Sequence, residues 1–294
     1  MEASELNIVT LITQTINTLF SNLFSSIDNS LYNLLDDLVF ISPDIMRHPH
    51  LGNLIGNNMS GVIMIANSLV IGFLLYYSIS YLLSQFTLGQ VQSPYQFIFR
   101  LLLCVLFVNF SHFLCELLIS FTSFISLAIR SLGESIFNTE IGFTSIIQNL
   151  NSIIFLEQND FNVFSLDGLL KGFISFGLLN LVLSYALRYI VILVFILISP
   201  FAFLSLALTS STWIFKSWLK IFCSLLALQI FVSLVLLICF SIDSADSDVF
   251  SRLIYVGSIY ALIKANSYLR DFMTGLGTDI NMGVSSLKGM IMGG

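Results

Sequence analysis

The sequence predicts an all-α, polytopic membrane helix bundle with about five transmembrane helices and an amphipathic N-terminal helix outside the bilayer. Hydrophobic residues make up 56% of its 294 positions and charged residues only 10%, against ~25% charged in a soluble domain. A chain this apolar cannot hide its greasy surface in its own core, so it belongs in lipid. The second observation is a set of uncharged runs, such as Gly61–Leu83 and Ile221–Ser241, each near the ~20 residues a crossing needs. The third is the central stretch from Asp167 to Lys220, apolar from Gly172 to Leu208 apart from Arg188 and Pro200.

Taken in order, residues 1–58 form the outer amphipathic segment. Ile8, Ile12, Ile16, Phe20, Leu23, Ile27, Leu31, Leu34 and Leu38 recur every three or four positions, and the pattern stops near Ser42–Pro43. That spacing makes one apolar helical face. The helix carries no lysine or arginine, so it offers little attraction to anionic lipid. It packs either on another protein or back on its own bundle. The acidic start, MEASEL, lacks the basic region of a cleavable signal peptide. His48 and His50 stand without the Cys, Asp or Glu neighbours that a metal site would add, and read as a solvated loop.

The bundle proper is expected over residues 59–268, with spans at about 61–83, 96–129, 168–208, 221–241 and 249–266. The second contains Glu116, some 20 residues in, which puts it ~30 Å along the helix and near the outer interface. It reads as a snorkelling carboxylate or a partner of Lys171 rather than a proton carrier. The third is too long for one simple crossing. Its 37 apolar positions would extend ~55 Å against a core of ~30 Å, so it is expected to bend at Pro200. Its tail then lies along the inner surface, where Trp213, Lys216, Trp218 and Lys220 are the interfacial anchors. The fifth span has only 11 residues between Arg252 and Lys264. Residues 269–294 form a polar, Gly- and Met-rich cytoplasmic tail.

Positive charge orients the bundle. Five spans with the N-terminus outside put Arg100, Lys216, Lys220, Lys264, Arg270 and Lys288 inside, and 14 of the 17 acids outside. Splitting Gly172–Leu208 into two spans would reverse that bias. Arg188 is then an intramembrane arginine, costly unless it meets protein or water. It either locks helix packing by capping carbonyls opened near Pro200, or lines an aqueous path or a subunit contact.

Chemistry is not evident. There is no HExxH pair, no nucleophile beside a base and no pair of intramembrane aspartates, so no enzyme activity, cofactor or metal is expected. The four cysteines lie within apolar runs and read as packing residues. A net charge of −6 argues against tight nucleic-acid binding on an open surface.

From Gly172 onward the order of features resembles the TrbL family of conjugal-transfer proteins, the polytopic membrane subunit of type IV secretion systems. LRYIVILVFILISPFAFLSLAL comes first, then the amphipathic TSSTWIFKSWLK, a long span containing LLALQIF, and a last span leading into YLRDFMTGLG. The similarity covers about the last 125 residues, and the earlier part matches in layout. It implies a channel or platform subunit in the cytoplasmic membrane, present in several copies. Its partners would be secretion ATPases, a coupling protein and outer or stalk components, with only transient contact to a transferred DNA–protein complex. Arg188, Pro200 and Glu116 are the candidate path or subunit-contact residues. A small-solute or ion channel or transporter is the alternative.

Overall fold

A computed structural model describes residues 2–47, 61–87, 93–146, 165–208, 211–241 and most of 253–271, with isolated positions 54 and 148. The His48–His50 loop, the acids between Asp243 and Asp248, Glu157, Asp160 and the tail beyond 271 lie outside the described residues.

Among the described residues every regular element is helical. The long helices are α1 (Glu2–Val39), α2 (Val62–Thr87), α3 (Pro94–Phe137), α4 (Leu166–Leu204) and α5 (Thr212–Ser241). A short apolar helix, α6 (Val256–Ala265), follows. The chain is an all-α membrane helix bundle, and four helices are long and apolar enough to cross a bilayer: α2, α3, α4 with the turn after it, and α5. Of the fifth expected span, 249–266, the described residues give the apolar helix Val256–Ala265, while 249–252, 255 and 266 lie outside the described residues.

The chain folds as two compact units. The first comprises residues 1–41, 124–189 and 228–272, and its core gathers one face from each of its elements. Leu35 and Val39 of α1, Ile141 and Phe143, Leu178 and Tyr185 of α4, Val232 and Leu236 of α5, and Leu262 of α6 are all buried together. Helix α3 stops where Asn138 turns left-handed (φ 52°) and its N–H returns 2.9 Å to the Glu134 carbonyl, a C-terminal cap suited to Asn. Gly133 lets α3 and α5 meet closely, since a Cβ there would sit 2.6 Å from Leu237.

The described part of the second unit comprises residues 42–123 and 190–227. Its centre is an aromatic cluster in which Phe203 stacks against Phe107 and packs on Phe215 and Trp218, and Trp218 stacks on Phe222 at 5.2 Å. Tyr77 of α2 lies flat on Phe97 of α3, centroids 3.7 Å apart, and Asn67 and Asn109 exchange amide hydrogen bonds at 3.1 and 3.4 Å. Outside these contacts α2 is bare: only 17% of its apolar window is buried.

A buried polar cluster where helix α1 ends

The N-terminal helix is two helices in one by environment. Leu11, Ile12, Leu19 and Leu23 are exposed, whereas Phe24, Leu35 and Val39 are buried. Its last turn docks into the first unit's core. The buried face is offset from the stripe read from the sequence: Phe24, Leu35 and Val39 turn inward, each one position beyond Leu23, Leu34 and Leu38, of which Leu23 and Leu34 are exposed and Leu38 is half-buried.

A helix that stops inside protein leaves carbonyls, and the amides beyond them, without helical partners. Two side chains meet that need here. Arg188 of α4, 1% exposed, donates from Nη1 to the Val39 carbonyl at 3.1 Å. Gln229 of α5, fully buried, accepts the Ile41 N–H on Oε1 at 3.2 Å. Tyr185, one turn before the arginine, has its ring 6.0 Å from the guanidinium and its hydroxyl donates to the Leu262 carbonyl at 3.4 Å. Ser233 continues the polar strip down α5, donating to the Gln229 carbonyl at 2.9 Å and sharing a 2.6 Å bond with Ser126. Arg188 does reach a backbone carbonyl, but the one it reaches belongs to α1, not to the Pro200 region.

On its other side the same helix end is held by Asp36. Its carboxylate accepts the Phe143 N–H at 3.1 Å and the Thr144 hydroxyl at 3.2 Å. Gly142 makes that approach possible, because a Cβ would stand 3.2 Å from a carboxylate oxygen. Arg130 completes the clamp, with Nε donating to the Ile141 carbonyl at 2.7 Å and its guanidinium 4.3 Å over the Phe40 ring. Burial pushes the Asp36 carboxyl above its ordinary value, against the lowering pull of the Phe143 amide, Arg130 and Thr144.

Pro200 occupies a buried position in the second unit, inside α4, which continues to Leu204 before a single 3-10 turn. Proline removes the N–H that Ile196 would receive. The Ser199 hydroxyl supplies a donor to that same carbonyl at 2.7 Å, and Trp218 Nε1 donates to Phe195 at 3.1 Å. Cys104 places its Sγ 3.6 Å from the Phe203 and Leu204 carbonyls. The proline is thus a locally mended break.

The four expected anchors separate. Trp213 is 66% exposed and Lys216 is exposed. Trp218 is buried in the aromatic cluster at 6%, and Lys220 is half-buried. Trp218 therefore serves packing rather than an interface. Glu116 is half-buried on α3, one turn after His112, whose Nδ1 is buried with no hydrogen-bond partner among the described residues. No group of three or more potential metal ligands occurs among the described residues. Gln229, Asp36 and Arg130 escaped the sequence reading as site residues. For Gln229 a signal existed: it lies on the Phe222, Leu225, Leu226, Val232, Leu236 stripe of α5, an amide on an otherwise apolar face.

Fold and cluster together define a class, the polytopic α-helical membrane protein with a helix end buried among its spans. Compared with models of known protein families the chain matches none, and no curated protein matches it.

Proposed function

We propose that the chain is a membrane channel or platform subunit of a conjugative type IV secretion system. It would act in several copies in the cytoplasmic membrane, beside the secretion ATPases, the coupling protein and outer or stalk components, helping a DNA–protein substrate outward. The order of motifs from Leu187 to Gly277 supports the family. One structural observation favours a platform over a conduit through the single chain. Arg188, the charge that would line such a conduit, is 1% exposed and bonded to Val39. A path would then run between copies, and the bare faces of α2 and α3, only 17% and 28% buried over their apolar windows, are surfaces on which copies could pack.

The rival, a small-solute or ion channel or transporter subunit, would draw on the half-buried His112 and Glu116 of α3. Deleting the gene separates the two readings. Loss of DNA transfer with solute uptake intact supports the platform, and the opposite pattern refutes it.

The lysine and acid distribution supports an N-terminus outside and a C-terminus in the cytoplasm, with the segment at 249–266 as the fifth crossing. The native cysteines are buried or half-buried, so introduced ones report cleanly. An impermeant thiol reagent on intact cells should label Asn138→Cys and spare Ser211→Cys and Ser285→Cys. Labelling at 285 alone would mean that the segment around α6 does not return the chain to the cytoplasm.

A further inference from the structure

Helix α1 buries one apolar face and shows a second. Ile12, Leu19 and Leu23 are exposed, and Ile16 between them is half-buried. These four form a stripe ~135° around the helix from Phe24, Leu35 and Val39, the residues α1 gives to the core.

The front of α1 also outruns its neighbour in the first unit. Phe24 meets Gly172 and the Phe176 ring of α4, and Val39 meets Arg188, 149 positions on. The two helices therefore run parallel, and with that offset Asn17 is level with Leu166, where α4 begins. Residues 2–16 project ~22 Å beyond it. Helix α4 has 39 residues, ~58 Å, about twice a hydrocarbon core of ~30 Å. Its first turn carries Asp167, so that end stands in water, and the front of α1 stands there with it. An apolar stripe in water calls for a cover.

The sequence of the stripe says what covers it. Helix α1 has no lysine or arginine, so an anionic lipid surface is a poor fit. From Asn7 to Ile27 it has no charge of either sign, which gives nothing to select a charged partner and nothing to repel an identical helix. Ile12, Ile16, Leu19 and Leu23 are spaced four, three and four apart, the alternation of a coiled-coil seam with Ile16 and Leu23 at one core position and Ile12 and Leu19 at the other. Copies inserted in one bilayer point the same way, so their projecting helices are parallel. Confinement to the membrane raises their effective concentration, which lets so short a seam suffice.

We propose that the front half of α1 is a homotypic docking element, pairing in parallel with α1 of a second copy through Ile12, Ile16, Leu19 and Leu23. The pairing requires copies to share a membrane, as in the platform reading, but it needs neither the secretion role nor the faces of α2 and α3.

The test is oxidative cross-linking of the full-length chain in the membranes of expressing cells, with no transfer assay involved. The native cysteines are buried or half-buried. Single cysteines at Ile12 and Leu19 sit on the seam, and those at the exposed Thr18 and Ser25 sit on the far side. A disulfide forms only when the two Cα atoms come within ~7 Å, so it reads register as well as proximity. Ile12→Cys and Leu19→Cys should each give a covalent dimer of twice the chain mass, and Thr18→Cys and Ser25→Cys should stay monomeric. Adding Ile12→Lys to Leu19→Cys should abolish the dimer while the chain remains in the membrane, because Ile12 is exposed and the bundle does not rest on it. Equal yields at all four positions would reveal chance collision and overturn the proposal. A dimer that survives Ile12→Lys overturns it too. So does a product of any other mass, which would put a different protein on the stripe. Seam cysteines that stay monomeric yet resist an impermeant thiol reagent overturn it in favour of a lipid surface.

Discussion

At Pro200 one helix continues through a missing donor, and at Val39 another helix stops altogether. Both lie among buried side chains, where unpaired backbone groups are costly. The repairs differ in reach. Pro200 is mended mainly from nearby, by the hydroxyl one residue before it and by a tryptophan whose bond spans 23 positions. The end of α1 depends on Arg188 and Gln229, 149 and 188 positions away. A local repair survives when its neighbourhood folds, whereas a distant one exists only once the first unit has assembled. Removing the distant partners should therefore loosen α1 as a whole, and removing the local ones should cost little more than a bond.

The largest effect is expected at Arg188. From the sequence alone, Arg188→Leu would relieve a buried charge and leave the protein as abundant as before. With the Val39 carbonyl as its partner, the same change strands a buried acceptor, worth about 2–3 kcal/mol. The leucine variant should unfold at a clearly lower temperature in detergent and expose α1 to limited proteolysis, with Arg188→Lys intermediate. An unchanged midpoint for Arg188→Leu would mean that the arginine does not hold α1 in place.

Gln229→Met comes next. The thioether fills similar space but cannot accept the Ile41 N–H, so about 1–2 kcal/mol should go. Because Arg188 and Gln229 act on the same helix end, the double variant should lose less than the sum of the single ones. Strict additivity of the two midpoints would show that they serve independent features. Trp218→Phe is the matching probe at the local break. The ring stack on Phe222 survives and only the bond to Phe195 is lost, about 1 kcal/mol, with no gain in cleavage of α1.

The difference in reach also governs what the sequence could reveal. Apolar runs and charge poverty identify membrane helices because each is a property of contiguous residues, and α2, α3, α4 and α5 were legible for that reason. Pro200 announced its own break. Arg188 announced a need for a partner without saying which, because the carbonyl that answers it lies on another helix. Likewise nothing in periodicity pairs Asp36 with residues 107 positions on. Trp213 and Trp218 could have been separated, however. Five residues apart they point about 140° from each other around a helix, so one turning outward implied the other turning inward.

The smallest effect, and the one that tells which side of the clamp is electrostatic, is at Asp36. Burial raises its folded carboxyl above the ordinary value, so the folded protein holds its proton to higher pH than the unfolded chain does. Stability should accordingly fall as pH rises from the ordinary value of 3.8 through the folded one, and level off above it. In Asp36→Asn that slope should vanish. The amide can still accept the Phe143 N–H, and its NH₂ can donate to the Thr144 hydroxyl, so the variant should match or slightly exceed the native midpoint at neutral pH. Asp36→Leu removes the acceptor as well and should release the 141–144 segment, seen as faster amide exchange at Phe143. If Asp36→Asn instead lost stability at neutral pH as heavily as Asp36→Leu, the carboxylate charge facing Arg130 would be what holds the clamp. The end of α1 would then be fixed by an ion pair on one side and by hydrogen-bonded capping on the other.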